Sequence, residues 1–188
     1  MDVLKKHDAQ RILDVGCGSG RHLVYLAEQG FDAFGFDSSP QAVKMASAWL
    51  DDRGLPAHVI VRRMEERFPY RDSFFDGVIS IQVIHHNLMS DIRFTVGEIT
   101  RVLRAGGILF ASFPILGPTP AGGGWNLEEI EPGTYLPHDG LEAGIPHHYF
   151  TVDEISDVFS AFEILEQYID DTDHRCILAR RKQQESES

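Results

Sequence analysis

Residues 12–27 read ILDVGCGSGRHLVYLA, with Gly16, Gly18 and Gly20 falling within five positions between an apolar run and a helical pattern. A residue without Cβ lets the backbone come close to a ligand, so this loop is a candidate binding element. Asp14 stands two residues before the first glycine and Arg21 directly after the last. Each is either a ligand-facing charge or, respectively, a strand-end acid and a solvated helix residue. Cys17 is small enough to fill space in the loop and is read that way rather than as a nucleophile.

Histidine supplies the other candidate chemistry. His85-His86 and His147-His148 are adjacent pairs, and an imidazole titrates near neutrality, as a proton acceptor must. Neighbouring side chains in an extended segment point opposite ways, so one of each pair is expected to face a pocket. His86 and His148 are assigned that role; the alternative for either is a helix cap or a backbone bridge. His86, His148 and His174 could converge with Asp170 or Asp173, but none has a recognised metal-ligand spacing, and no metal is expected.

The elements that must position these residues follow from periodicity. Strand-like runs at 11–15, 31–37, 57–63, 74–82 and 108–113 alternate with helical patterns. One helix covers about 20–29. A second opens at Ser39-Pro40, an N-cap followed by a first-turn proline, and carries Val43, Ala46 and Leu50. A third runs from about Asp91, with Ile92, Val96, Ile99 and Leu103 on one stripe, and is expected to stop at Gly106-Gly107. Such alternation implies parallel strands joined by helical crossovers in an open, doubly wound sheet. Residues 114–148 are rich in Pro and Gly, show no sustained period, and are expected to form a lid-like insertion. Thr151-Val-Asp-Glu154 is a capping box. The runs 162–170 and 174–181 are joined by a turn short enough to make them antiparallel.

Bulk properties narrow the classes. The 188 residues carry 43% apolar and 24% charged side chains, the composition of an ordinary globular domain. The net charge of −12 with no clustered basic face argues against nucleic acid as partner. No apolar stretch is long enough to span a bilayer and the N-terminus lacks a signal-peptide core, so a cytoplasmic location is the expectation. Two cysteines do not make a disulfide framework. The tail from 183 to 188 is expected to be disordered. Oligomeric state is not legible.

In combination, ILDVGCGSG, the alternation and the antiparallel C-terminal pair resemble a class I S-adenosylmethionine-dependent methyltransferase. ILDVGCGSG is similar to that family's first motif. FPYRDSFFDGVIS is similar to its lead into the fourth strand, and EITRVLRAGGILF to the helix and turn before the fifth. The resemblance covers about residues 11–113. IHH after the fourth strand and GRHLVYLA after the loop look like small-molecule members, of the ubiquinone-biosynthesis and tellurite-resistance groups.

The resemblance implies an α/β, Rossmann-like doubly wound sheet of seven strands, mostly parallel, with an antiparallel C-terminal strand. It implies one methyltransferase domain over 1–182, with S-adenosylmethionine as cofactor and S-adenosylhomocysteine as product. Asp37, with Ser38 beside it, stands where the family's acid accepts hydrogen bonds from the ribose hydroxyls. Gly16, Cys17 and Gly18 would border the methionine portion, with Asp14 toward its ammonium and Arg21 toward its carboxylate. Where the family often has an acid aimed at the adenine amino group, counting back from Phe68-Pro69 gives Met64, with Glu65 next. Either Met64 packs on the adenine while Glu65 makes the polar contact, or the register slips by one. Ile81 and Gln82 fall at the carboxyl edge of the fourth strand, where ligands of such sheets bind.

The acceptor is expected to be a small molecule, walled by insertion aromatics such as Trp125, Tyr135 and Tyr149. IQVIHHN stands where some nucleic-acid and protein-glutamine methyltransferases carry N/D-P-P-Y/F, which disfavours those substrates. A nicotinamide-dependent oxidoreductase needs a small residue where Arg21 stands and lacks a Tyr-x-x-x-Lys pair here. A non-catalytic cofactor-binding partner is the other alternative, since barely ten residues precede the first motif. Either the cover of the pocket is short and open, or the chain is trimmed.

Overall fold

Strands that alternate with amphipathic helices can bury their apolar residues only if helices cover both faces of the sheet. The computed structural model, which describes residues 2–116 and 126–183, has this arrangement. In chain order the elements are α1 (Asp2–Lys6), β1 (Arg11–Val15), α2 (Arg21–Glu28), β2 (Asp32–Asp37), α3 (Pro40–Arg53), β3 (Ala57–Val61) and β4 (Phe75–Ile81). They continue with α4 (Met89–Val102), β5 (Leu103–Pro114), β6 (Leu127–Glu131), β7 (Thr134–Pro137), β8 (His147–His148), α5 (Val152–Val158), β9 (Phe162–Ile169) and β10 (His174–Arg181). The seven-stranded sheet has the order β3-β2-β1-β4-β5-β10-β9. Its first five strands pair in parallel, and β10 runs antiparallel to both β5 and β9.

Alternation along β1 divides the core. Ile12 packs with Leu23, Leu26 and Ile108 on one face. Leu13 and Val15 pack with Phe36, Ile92 and Ile99 on the other. The crossover from β3 to β4 is irregular and is held to α4 by Arg101. Its guanidinium donates to the Phe68 and Tyr70 carbonyls at 3.0 and 2.7 Å and pairs with Glu98 and Asp72. Glu98 also accepts the Phe68 N–H at 2.7 Å. Connections on either side of β1 and β4 run in opposite directions, so a crevice opens at the carboxyl edge between them.

Two helix starts have the side-chain caps expected. Ser39 Oγ accepts the Ala42 N–H at 3.2 Å ahead of Pro40, and Thr151 and Glu154 form both bonds of the capping box. Two expectations need correction. The third long helix ends at Val102, and β5 begins at Leu103. Gly106, at φ 73°, and Gly107 lie in a register shift of that strand against β4 rather than at a helix stop. A glycine pair is the same sequence signal for a helix terminus and for a strand bulge.

Nor is the segment 114–148 without regular structure. It contains a three-stranded antiparallel sheet, β6-β7-β8, whose strands are short and whose LEEIE run is mostly charged, leaving no apolar alternation to read. Trp125 and residues 184–188 of the tail lie outside the described residues.

Gly35 of β2 lets α2 lie directly on the sheet. A Cβ there would come within 2.8 Å of Leu23 Cδ1 and 3.0 Å of Cys17 Cβ. Gly35→Ala is expected to destabilise the protein by about 1–3 kcal/mol, the usual range for overpacking. Urea unfolding measures this, and an unchanged midpoint would show that Leu23 can swing aside.

Candidate functional site

The glycine loop is folded back onto the end of β2 by hydrogen bonds. The N–H groups of Gly16 and Cys17 donate to the Phe36 carbonyl at 3.0 and 2.9 Å. Asp37 completes the closure, because its Oδ2 accepts the Gly18 N–H and its Oδ1 accepts the Ser39 N–H, both at 2.9 Å. Each carboxylate oxygen retains capacity for a further donor. Gly16 has φ 72° and a Cβ on it would lie 2.4 Å from Val83 Cγ1, whereas at Gly18, with φ 53°, a Cβ would meet no atom within 4 Å. The first glycine permits close packing of the loop on the turn after β4; the second leaves open space.

That space is part of a cavity of about 550 Å³ at the carboxyl edge of the sheet. Gly16, Gly18, Asp37 and Ser38 line one side, Met64 and Glu65 another, and Gln82 and His86 a third. The cavity is also bordered by Arg62, Arg63, Val83, Asn87 and the stretch 144–146, none of which sequence reasoning selected. Arg62 and Arg63 carry no motif of their own, and 144–146 arrives from a distant loop. Gln82 has a left-handed φ of 58°, held by its N–H donating to the Ser112 carbonyl and hydroxyl, each at 3.2 Å.

Asp14, Cys17, Arg21, Ile81 and His148 are not among the cavity-lining residues. Asp14 lies beneath the loop, 1% exposed, with Oδ2 making no hydrogen bond among the described residues and His22 Nδ1 3.9 Å away. Burial first, and then the Asp37 carboxylate, push its pKa up to about 7, against the opposing pull of Arg21. Burial, Asp14 and Asp37 raise the Cys17 thiol, which leaves it protonated at neutral pH. Arg21 is exposed at the start of α2.

The histidines are arranged differently from the sequence expectation. Residues 84–87 form a turn, not an extended segment, so His85 and His86 turn toward each other with ring centroids 3.9 Å apart. The second pair is extended in β8, and its side chains do alternate, but His147 is the one that joins His86, at 4.6 Å. His148 faces the opposite way: it is 0% exposed and its Nδ1 lies 2.8 Å from Thr134 Oγ1. Thr134 in turn donates to Glu131, which also accepts the Met89 N–H at the start of α4. His148 therefore belongs to a buried network docking the small sheet onto α4. Its own N–H donates to the His85 carbonyl at 2.8 Å and carries β8 to the turn after β4.

Burial, then His147, lower the His86 pKa to about 4, and burial together with the neighbouring imidazoles lowers His85 well below the usual histidine value. Burial also lowers His147 against the pull of Glu142, whose Oε2 is 3.4 Å from Nε2. At neutral pH the cluster is three uncharged imidazoles.

Residues 13–111, more than half of the 188-residue chain, match the family model described as a methyltransferase domain. A 27-O-demethylrifamycin SV methyltransferase of Amycolatopsis mediterranei is 34% identical over 126 residues, 64% of this chain and 44% of that one. An S-adenosylmethionine-dependent methyltransferase of Methanosarcina mazei superposes with a TM-score of 0.77 at 21% identity, covering 97% of this chain and 98% of that chain. A Burkholderia thailandensis 1,6-didemethyltoxoflavin-N1-methyltransferase, solved with 1,6-didemethyltoxoflavin and S-adenosylhomocysteine, gives 0.73 at 18% identity over 97% and 76% of the two chains. The chain belongs to the methyltransferase-domain family and has the fold of class I S-adenosylmethionine-dependent methyltransferases. It spans less than half the length of the curated relatives it matches. No helix among the described residues is long and apolar enough to cross a membrane.

Asp14 gives a testable pH dependence. Its folded-state pKa, about 7, lies above its ordinary 3.8, so the folded state binds the proton more tightly than the unfolded one. Stability therefore falls as pH rises from about 4 to 7, where the buried carboxyl ionises. Asp14→Asn, which cannot ionise, is expected to melt above wild type at pH 8, with the gap closing toward pH 4. Thermal melts across that range measure it; a gap independent of pH contradicts the assignment.

Proposed function

We propose that the protein transfers the methyl group of S-adenosylmethionine to a small-molecule acceptor. The observation that carries this reading is the single cavity running from the Asp37 carboxylate and the glycine loop to His86. Its volume, about 550 Å³, is within the range of small-molecule sites. The relative acting on a demethylrifamycin and the neighbour solved with a demethyltoxoflavin are methyltransferases of small organic molecules by their names.

The residues fit the cofactor by their own chemistry. Asp37 offers a diol one lone pair from each oxygen beyond those used by Gly18 and Ser39. Ser38 borders the same side of the cavity. Gly18 leaves room for a close approach. Asp14, a buried carboxyl with one oxygen that makes no hydrogen bond among the described residues, suits a neighbouring ammonium, and its ionised form is favoured once such a charge is present. Arg21 supplies the complementary cation for a carboxylate. Met64 and Glu65 line the adenine side as an apolar surface and an acid, with Gln82, and not Ile81, closing the edge after β4.

When bound, the cofactor supplies an electrophilic methyl on a sulfonium, so the protein's task is mainly to align the acceptor. His86 is the imidazole that reaches the cavity. Its lowered pKa keeps the lone pair open at neutral pH, which makes it an acceptor of a hydrogen bond from the substrate; a base of pKa about 4 is too weak to remove a proton from an ordinary hydroxyl or thiol unaided. His148, held by Thr134, takes no part. We assign the small sheet and the stretch 144–146 to covering the acceptor, and the protein to the cytoplasm.

Calorimetric titration tests the reading. S-adenosylhomocysteine is expected to bind with micromolar affinity, and Asp37→Ala to weaken it by about 100-fold, the loss of two charge-assisted hydrogen bonds. Binding of NADH alone, or of neither ligand, would overturn it.

A further inference from the structure

We propose that His85, His86 and His147 form a binding site for a divalent transition-metal ion, zinc by preference. One nitrogen from each ring lies within 4.8 Å of the other two. A tetrahedral ion with nitrogen bonds of ~2.05 Å holds its ligands about 3.4 Å apart, so modest ring rotations complete the set. The backbone favours this arrangement. The turn at 84–87 puts two neighbouring imidazoles on one side, and the His148 N–H to His85 carbonyl bond fixes β8 so that His147 meets them.

A second observation points to a ligand. His85 is 2% exposed and its Nδ1 makes no hydrogen bond among the described residues. Buried polar nitrogens are nearly always satisfied, and an ion between the rings would satisfy this one. Glu142 Oε2 lies 3.4 Å from His147 Nε2, where a carboxylate would support the ring with Nδ1 as the ligand atom. Imidazole donors suit zinc, copper, nickel and iron rather than magnesium or calcium. The pattern escapes a search for metal spacings because the third ligand comes from a different sheet.

Three neutral ligands leave the ion its full double charge, and His86 places it at the cavity wall. On the methyl-transfer reading, the ion rather than the His86 lone pair would then hold the acceptor, selecting one with an anionic oxygen or sulfur and lowering the pKa of that atom. The metal site itself stands on the histidine geometry alone.

The test is titration of the untagged, chelator-treated protein with Zn²⁺, and with Co²⁺ for its visible spectrum. One equivalent is expected to bind at micromolar affinity or tighter, with Co²⁺ giving tetrahedral absorption bands. His86→Ala and His147→Ala should each weaken binding by about 100-fold or more, at least the upper end of what losing a supporting residue costs. His138→Ala, an exposed histidine paired with Glu128, should leave it unchanged. Circular dichroism melts establish that the variants are folded; if His147→Ala is not, His86→Ala, at a half-buried position, decides. Wild-type affinity no better than millimolar, equal binding by the cluster variants, or loss in His138→Ala would each overturn the proposal. Binding of S-adenosylhomocysteine, measured separately, shows whether the cofactor reading fails independently.

Discussion

The carboxyl edge of this sheet depends on one carboxylate. Asp37 ends β2 and accepts one N–H from the glycine loop and one from the first turn of α3. Charge-assisted hydrogen bonds of this kind are about twice as strong as neutral ones. They hold the loop at positive φ at Gly16, Gly18 and Gly20, conformations that only glycine adopts freely. Cavity wall, loop and helix start are therefore a single unit. The geometry is short of saturation, since both oxygens can still accept a donor from a ligand.

Around that unit the protein tolerates unfavourable groups. Asp14 is buried with one oxygen that makes no hydrogen bond among the described residues, and Gln82 sits in the left-handed region just after β4. His85 carries a buried nitrogen without a hydrogen bond among the described residues. Each is a cost that packing elsewhere must offset, and their concentration at one edge is what a ligand-directed site produces. The opposing faces of the sheet have Ile12, Leu13, Phe36, Ile92 and Ile99 at 1% exposure or less. Rigid support beneath a strained edge is what lets the edge keep its geometry.

Local chemistry was legible in the sequence; long-range assembly was not. Ser39-Pro40 and Thr151-Glu154 mark helix starts because a cap is a contact over three residues. The strand alternation was readable because the central strands bury their own apolar runs. The small sheet escaped because β6, Leu-Glu-Glu-Ile-Glu, has no apolar alternation, and its register comes from Tyr135, Thr134 and their partners across the turn. The position of Asp37 at the end of β2 was readable from its place in the motif series. The choice between His147 and His148 was not, because it depends on which face of β8 meets the turn after β4. Treating residues 84–87 as extended gave His85 the wrong direction.

On the proposed function, one cavity joins a cofactor pocket at Asp37 to an acceptor position at His86. A crystal structure of the protein with S-adenosylhomocysteine tests it most directly. The ribose diol is expected on the Asp37 carboxylate, the amino-acid end beside Asp14 and the sulfur facing the His86 side of the cavity. A ligand whose ribose lies away from Asp37, or whose sulfur points away from His86, would contradict it.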